Sequence, residues 1–343
     1  MSEILRAKLK KQLDDDVPID PLDIVQAQMG WSFKSESMAE LLKRPEPSIS
    51  WLIDSIWVDQ ARGFIAGNPN IGKTWLALEM LLSVSTGIPC LGQYAVKQGS
   101  VLLVEEESSV LNLSRRIHSL AKGRDLDLKN FHHVTRQSLK IMKHADELIA
   151  FIKAQGIVLV VFDSLRRFHG FDENSSEKMQ PVLDAFARIG SETGASVVLI
   201  HHLAKQSGQS KDSRSAFERM RGTSDFWAWR DCIIAVEGEE GSDITSCSFQ
   251  FRDAEAPAPV SVRRRVEGLS VRLEAVSMLE SPEFMAKVEE AKDYLITKFD
   301  WAFPTHVAKG MKGRKADNIK AVKMMIKMGV LVLDSDGKCG VPK

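Results

Sequence analysis

Along this chain the apolar residues fall into short unbroken runs, separated by longer stretches in which they recur every three or four positions. Residues 62–66 (RGFIA), 100–104 (SVLLV), 157–162 (IVLVVF) and 195–200 (ASVVLI) are the runs. Each is rich in β-branched or aromatic side chains and apolar at consecutive positions, the pattern of a strand buried on both faces. The spacing between them predicts helices over 73–86, around 110–122 and over 178–194. Gly87 and Pro89 stop the first of these. Buried strands alternating with helices predict a parallel sheet covered on both sides. From Cys232 to Val276 the pattern changes to CIIAV, TSCSFQF, VSVRRRV and LSVRLEAV, strands divided by turns, which predicts an antiparallel extension of that sheet.

The two ends read differently. Residues 1–46 are charged and interrupted by Pro18, Pro21 and Pro45; a short helix over 3–13 would have little apolar face of its own. This segment reads as an arm that docks elsewhere, a neighbouring subunit being one candidate. After Ser281-Pro282 come a helix over 283–298, a break at Pro304, a short helix and a basic helix over 315–328. Residues 330–333 and 338–341 flank an Asp-Gly turn, a strong hairpin signal. Three helices and a hairpin are the plan of a winged helix. The expected organisation is an arm (1–46), an α/β core (47–280) and a small winged-helix-like domain (281–343).

Composition adds limits. The 343 residues suffice for one large α/β domain with an appendage, and the formal net charge is zero, so a polyanion must be met by local charge patterning. Cys90, Cys232, Cys247 and Cys339 form no CxxC pair, as expected of reduced thiols. No apolar run reaches the roughly 18–20 residues that span a bilayer, and the N-terminus lacks a signal-peptide core, so the expectation is a soluble, cytoplasmic protein.

The strongest chemical signal is residues 67–74, GNPNIGKT, which fit G-x-x-x-x-G-K-[ST] between a predicted strand and a predicted helix. Gly67 and Gly72 let the backbone curl so that N–H groups converge on phosphate oxygens, and the helix N-terminus adds a positive partial charge. Lys73 is expected to reach the β- and γ-phosphates of ATP, and the Thr74 hydroxyl to ligate Mg²⁺. Asn70 and Trp75, in and just after the loop, are counted with the nucleotide site. Asp163 ends the apolar run IVLVVF, where a carboxylate is costly unless it meets a charge or a metal; it is the expected second metal-supporting residue. Hydrolysis also needs a group to orient or deprotonate water, and Glu105, Glu106 and Glu107 end the SVLLV run. An acid on that strand, with Ser164 rather than a glutamate after Asp163, points to a RecA-like P-loop ATPase.

The segments GFIAGNPNIGKTWLALEM, VEEESS, VVFDSLRRFHG, IHHLAK and RGTSDF together resemble the RepA-like hexameric helicases of mobile replicons and their wider AAA_25 relatives, over roughly residues 50–240. The resemblance implies that Glu106 is the catalytic glutamate, with Glu107 as the alternative. It implies that His201, paired with His202, senses the γ-phosphate. Arg221 takes the place of an arginine finger reaching a neighbour's site, Arg219 being the alternative, and Arg116 lies near the base. The implied protein is an ATP-dependent DNA helicase or translocase, a ring (a hexamer) acting in replication of a plasmid, phage or mobile element. Its partners would be single-stranded DNA or a forked duplex, and a replication initiator or primase. A filament-forming recombination or annealing ATPase, and an ATP-switched DNA-binding regulator or loader, are the alternative readings.

Nucleic acid has two candidate surfaces. Arg166 and Arg167 follow Asp163, and Lys205, Lys211 and Arg214 lie in a Gly/Ser-rich stretch; both would face a ring's channel, where flexible cations track phosphates. The Arg166-Arg167 pair is equally consistent with a structural role beside acidic partners. Residues 309–327 carry seven Lys or Arg against one Asp, and Lys320, Lys323 and Lys327 repeat at helical spacing beside the apolar Ile319, Val322 and Ile326. Trp227 and Trp229 are expected to be core or interface anchors.

Overall fold

The computed structural model describes residues 36–46, 48–124, 126–203, 217, 225–238, 241–276, 282–313 and 315–342. The chain divides into two units, 1–49 and 50–343. In the first, the described residues are exposed and include one short helix, α1 (Met38–Leu41), whose N-cap Ser37 Oγ accepts the Glu40 N–H at 3.1 Å.

The second unit opens with the paired strands β1 (Trp51–Ile53) and β2 (Trp57–Val58), then β3 (Arg62–Gly67) and helix α2 (Lys73–Thr86). Next come β4 (Ser100–Glu105), α3 (Val110–Ala121), β5 (Phe131–Thr135), α4 (Ile141–Gln155) and β6 (Ile157–Asp163). A 3-10 turn (Leu165–Arg167), α5 (Ser176–Thr193), β7 (Ser196–His202), the short α6 (Asp225–Trp229) and β8 (Cys232–Glu237) follow. Strands β9 (Ile244–Phe251), β10 (Val260–Glu267) and β11 (Ser270–Val276) complete a nine-stranded sheet in the order β11-β10-β9-β8-β3-β7-β6-β4-β5. Strands β8 through β5 of that order run parallel, and β9, β10 and β11 are antiparallel. This is the mostly parallel α/β sheet with an antiparallel extension that the apolar runs predict.

Alternation along each strand builds a core on each face. Ile65, Val101, Leu103 and Leu159 pack with α2 and α3, whereas Phe64, Ala66, Leu102 and Val104 pack with α4 and α5. Strand β3 lies between β7 and β8, and Gly63 is there for a steric reason: a Cβ at Gly63 would stand 1.7 Å from the Cys232 carbonyl oxygen. Trp229 is an anchor of the second core, its indole Nε1–H donating to Leu183 O at 2.8 Å. All four cysteines are buried and free. Among the described residues no helix is long and apolar enough to cross a membrane.

The apolar pattern did not yield β5 or α4. Strand β5 (FHHVT) is an edge strand without a fully buried residue, so it carries no apolar run. Helix α4 does carry a stripe, Ile141, Ala145, Leu148, Ile149 and Ile152, at helical spacing.

The last segment has its own core, with Val288, Ala291, Leu295, Val307, Val322, Met325 and Leu331 buried together. It contains α7 (Pro282–Lys298), α8 (Pro304–Gly310), α9 (Lys315–Lys327) and the short strands β12 (Trp301–Ala302), β13 (Val332–Leu333) and β14 (Cys339–Gly340). The hairpin β13–β14 gains β12 as a third strand, in the order β12-β14-β13. Buried Asn318 ties the helices: its Nδ2 donates to the carbonyls of Ala308 (3.2 Å) and Met311 (3.1 Å), and its Oδ1 accepts from Lys287 Nζ (3.0 Å).

Candidate functional site

The loop after β3 forms because its residues tolerate what others cannot. Asn70 sits at φ 62° and Gly72, the N-cap of α2, at φ 94°, both in the left-handed region. A side chain at Gly67 would come within 2.6 Å of the Val236 carbonyl oxygen, so the strand must end on glycine there. The loop therefore delivers the next two residues, Lys73 and Thr74, at the first turn of α2.

Lys73 is buried, and its Nζ donates to the carbonyls of Gly67 (3.0 Å) and Asn68 (2.6 Å) and lies 3.3 Å from His202 Nδ1. Burial pulls the ammonium down to about 8, against the opposing pull of the Asp163 and Glu107 carboxylates. Thr74 Oγ1 donates to Asp163 Oδ2 at 2.7 Å, so the two expected metal-supporting residues meet directly. Asp163 ends β6 in register with Glu105 at the end of β4. Burial raises the Asp163 carboxyl, and the neighbouring Glu105 charge raises it further; the Thr74 hydroxyl opposes both.

The three glutamates go three ways. Glu105 is fully buried; its Oε1 accepts the N–H groups of Glu107 and Ser108 at 2.7 Å each, and its buried Oε2 has no hydrogen-bond partner. The Glu106 carboxylate accepts the N–H groups of Gln137 (3.0 Å), Ser138 (3.1 Å) and Leu139 (3.1 Å), in the loop after β5. The half-buried Glu107 side chain makes no hydrogen bond or ion pair among the described residues, yet its charge acts on both Lys73 and Asp163.

A divalent cation fits this donor set. The buried Asp163 carboxylate meets the Thr74 hydroxyl, the buried Glu105 lies in register with Asp163, and one Glu105 carboxylate oxygen is orphaned. No cluster of three or more His, Cys, Asp or Glu able to hold a metal exists among the described residues. Mg²⁺ takes few protein ligands and completes its shell with phosphate and water, so the Thr74 hydroxyl and the Asp163 carboxylate are a sufficient protein donor set for it.

The remaining predicted residues divide as follows. His202 lies beside Gly67 in register and reaches Lys73, whereas His201 is buried against Phe226 (ring centroids 5.3 Å apart) and Phe64 (6.1 Å). Arg116 donates to Ser108 Oγ at 3.1 Å, and its guanidinium lies 6.0 Å from the Trp75 ring centroid, bringing two predicted nucleotide residues together. Arg166 and Arg167 are exposed; Arg166 Nη1 donates to Phe171 O and Lys140 Nζ donates to the Arg167 carbonyl. Lys323 is exposed on α9. Lys205, Lys211, Arg214, Arg219 and Arg221, and the Lys320 side chain, lie outside the described residues. The resemblance puts His201 first of the pair, whereas it is His202 that meets Lys73. The strand's period of two, which sends neighbours to opposite faces, was the signal that separates them.

The AAA_25 family model, that of an AAA domain, matches residues 31–208. Among solved structures the chain is similar to an ATPase domain, with a TM-score of 0.51 and 16% identity over 74% of this chain and 99% of that one. It is also similar to a DnaB-like replicative helicase solved for its interactions with primase, with a TM-score of 0.50 and 15% identity over 77% of this chain and 71% of that one. These likenesses establish a shared fold, the RecA-like sheet described above.

Proposed function

Because the chain belongs to the AAA_25 family, we propose that it binds and hydrolyses ATP and uses the energy to move along DNA as a ring-shaped helicase or translocase. The observation that carries the reading is the meeting of Lys73 and Thr74, at the start of the helix after β3, with Asp163 and Glu107 at the carboxyl ends of the neighbouring strands β6 and β4.

The loop 67–72 and the N-terminus of α2 hold the phosphates through backbone N–H groups. Lys73 exchanges its two carbonyl partners for phosphate oxygens, and Thr74 with Asp163 would hold Mg²⁺. The metal, when bound, neutralises charge that builds on the β- and γ-phosphates. Glu107 orients the attacking water and takes its proton. Glu107 is preferred to Glu106, since the Glu106 carboxylate is occupied by three N–H groups and that of Glu107 is not. His202, in contact with Lys73, reads the state of the γ-phosphate at the end of β7. The base lies toward Trp75 and Arg116.

Arg221, or Arg219, completes the site of the adjoining subunit, which makes turnover depend on assembly. Single-stranded DNA is held by Arg166 and Arg167 with Lys205, Lys211 and Arg214, through phosphate contacts. The last segment acts as a winged-helix-like domain whose Lys320 and Lys323 meet DNA or a replication partner such as an initiator or primase.

The test is the ATPase rate with and without single-stranded DNA, on a sample of measured mass. Expected are stimulation by DNA, unwinding of a forked duplex, and loss of turnover in Lys73→Ala. A ring that hydrolyses ATP without responding to DNA would refute the motor. Open filaments would favour a recombination factor, and a duplex footprint with negligible turnover a regulator or loader.

A further inference from the structure

Glu106 is the most heavily hydrogen-bonded of the three glutamates, and the role proposed for Glu107 leaves it without a chemical task. The loop that receives it is built for an anion. Arg136 (φ 51°) and Ser138 (φ 58°) both adopt left-handed backbone, and this alternation turns the N–H groups of Gln137, Ser138 and Leu139 toward one point. The Glu106 carboxylate sits at that point, with one oxygen accepting two N–H groups and the other accepting the third. Such a nest is an anion site, and here its anion is supplied by the chain itself.

The attachment is reciprocal. Arg136 Nη2 donates to the Glu107 carbonyl at 2.8 Å, and the Arg136 N–H donates to the Glu105 carbonyl at 2.8 Å. The residues on both sides of Glu106 are thus held by the loop that Glu106 holds. The far end of the same loop is fixed to the turn after β6: Lys140 Nζ donates to the Arg167 carbonyl at 2.7 Å, and the Ile141 N–H to the Phe168 carbonyl at 3.1 Å.

We infer that Glu106 is a positioning residue: its carboxylate locks the 136–141 loop as a strut that fixes Glu107 over the nucleotide site and links it to the Arg166-Arg167 turn. The inference rests on the reading of Glu107 as the residue that orients water. It gives the DNA-facing turn a short covalent and hydrogen-bonded route to the group that sets the hydrolysis rate. A displacement of the Arg167 carbonyl pulls on Lys140, and through the nest on the backbone of Glu107.

Two readouts test it in the full-length protein. The first is amide exchange at 137–139, which needs no turnover. Glu106→Gln replaces one acceptor oxygen by an amide donor, and these amides are expected to exchange about tenfold faster or more as the loop opens. The second is steady-state ATPase. Glu106→Gln is expected to lower kcat by about 10- to 100-fold while KM moves less than about twofold, the signature of a misplaced rather than missing group. Glu106→Asp, which keeps the charge, recovers part of the rate. Lys140→Met keeps the basal rate within about twofold but weakens stimulation by single-stranded DNA, because it removes one of the two bonds at the far end of the strut; full stimulation in this variant overturns the link to the Arg166-Arg167 turn.

Unchanged exchange at 137–139 in Glu106→Gln overturns the nest. Faster exchange with wild-type kcat overturns the positioning role. Complete loss of turnover in Glu106→Gln, with Glu107→Gln still active, makes Glu106 itself the catalytic base. Failure of the wild-type protein to hydrolyse ATP at all sinks the hydrolase reading instead, and the exchange experiment still decides whether the nest exists.

Discussion

Lys73 should take up a proton when ATP binds, and the extent should rise with pH. Burial brings its ammonium down to about 8 in the free protein, which favours the neutral amine by about 3 kcal/mol relative to a solvated lysine. A bound triphosphate supplies negative charge next to Nζ and returns the group to about 10.5, its solvated value. At pH 8 about half of the free protein carries the charge and nearly all of the complex does, an uptake of about 0.5 proton. At pH 9 only about a tenth of the free protein is charged, and the uptake grows to about 0.9 proton. Because the bound pKa is the higher one, affinity must fall as pH rises, by about fivefold between pH 8 and 9. In that window the phosphates are ionised, and Asp163, which burial and Glu105 raise to about 7, is the other group that takes up protons beside a metal-free triphosphate. The assay is calorimetry with EDTA present, in two buffers of different ionisation enthalpy, which separates protons from heat. Lys73→Arg is the control: a guanidinium stays charged throughout, so the uptake this variant retains belongs to Asp163 and the uptake it loses belongs to Lys73. An uptake that does not increase between pH 8 and 9, or a release of protons, would show that Lys73 is already charged in the free site.

Three further expectations concern single positions. Gly63→Ala puts a methyl group 1.7 Å from the Cys232 carbonyl oxygen in the middle of the sheet; it should lower unfolding free energy by about 3 kcal/mol or more, read by chemical denaturation. His202→Ala should lower ATPase kcat/KM by about tenfold through loss of its contact with Lys73, leaving stability near wild type. His201→Ala should do the reverse, emptying space between Phe64 and Phe226 at about 2–4 kcal/mol of stability while the folded protein keeps its turnover. Matched losses of rate in both variants would refute the division of the pair.

The parts of the fold that could be read from the chain are those where one constraint dominates. Strands β3, β4, β6 and β7 are buried on both faces, and their apolar runs say so directly. The phosphate loop was legible because few residues other than Gly67, Gly72, Lys73 and Thr74 satisfy its backbone and its chemistry. Strand β5 escaped notice since an edge strand has no two-sided burial to impose a pattern. The glutamates could not be separated by sequence: Glu105 belongs to the strand, whereas Glu106 and Glu107 lie beyond its end, where no period governs direction. What divides them is Arg136, Ser138 and the loop around them, some thirty positions away in the chain. Arg221 and the cationic stretch from Lys205 to Arg214 lie outside the described residues, so their assignments rest on sequence alone.

Strand β3 also has a history in the making of the molecule. It leads into the phosphate loop, yet one of its neighbours, β8, is preceded by Asp231, whose carboxylate meets the Arg62 N–H across 169 positions of chain. Parallel pairings at such separation are slow to close, because the entropy of bringing the ends together is lost before any contact forms. As the polypeptide emerges from the ribosome, the loop sequence is complete long before the strand that flanks it has been translated. Gly67 must wait for the Val236 carbonyl against which it packs. Nucleotide-binding competence should therefore come late in synthesis, and a nascent chain truncated before β8 should bind ATP poorly although it already contains every residue of the motif.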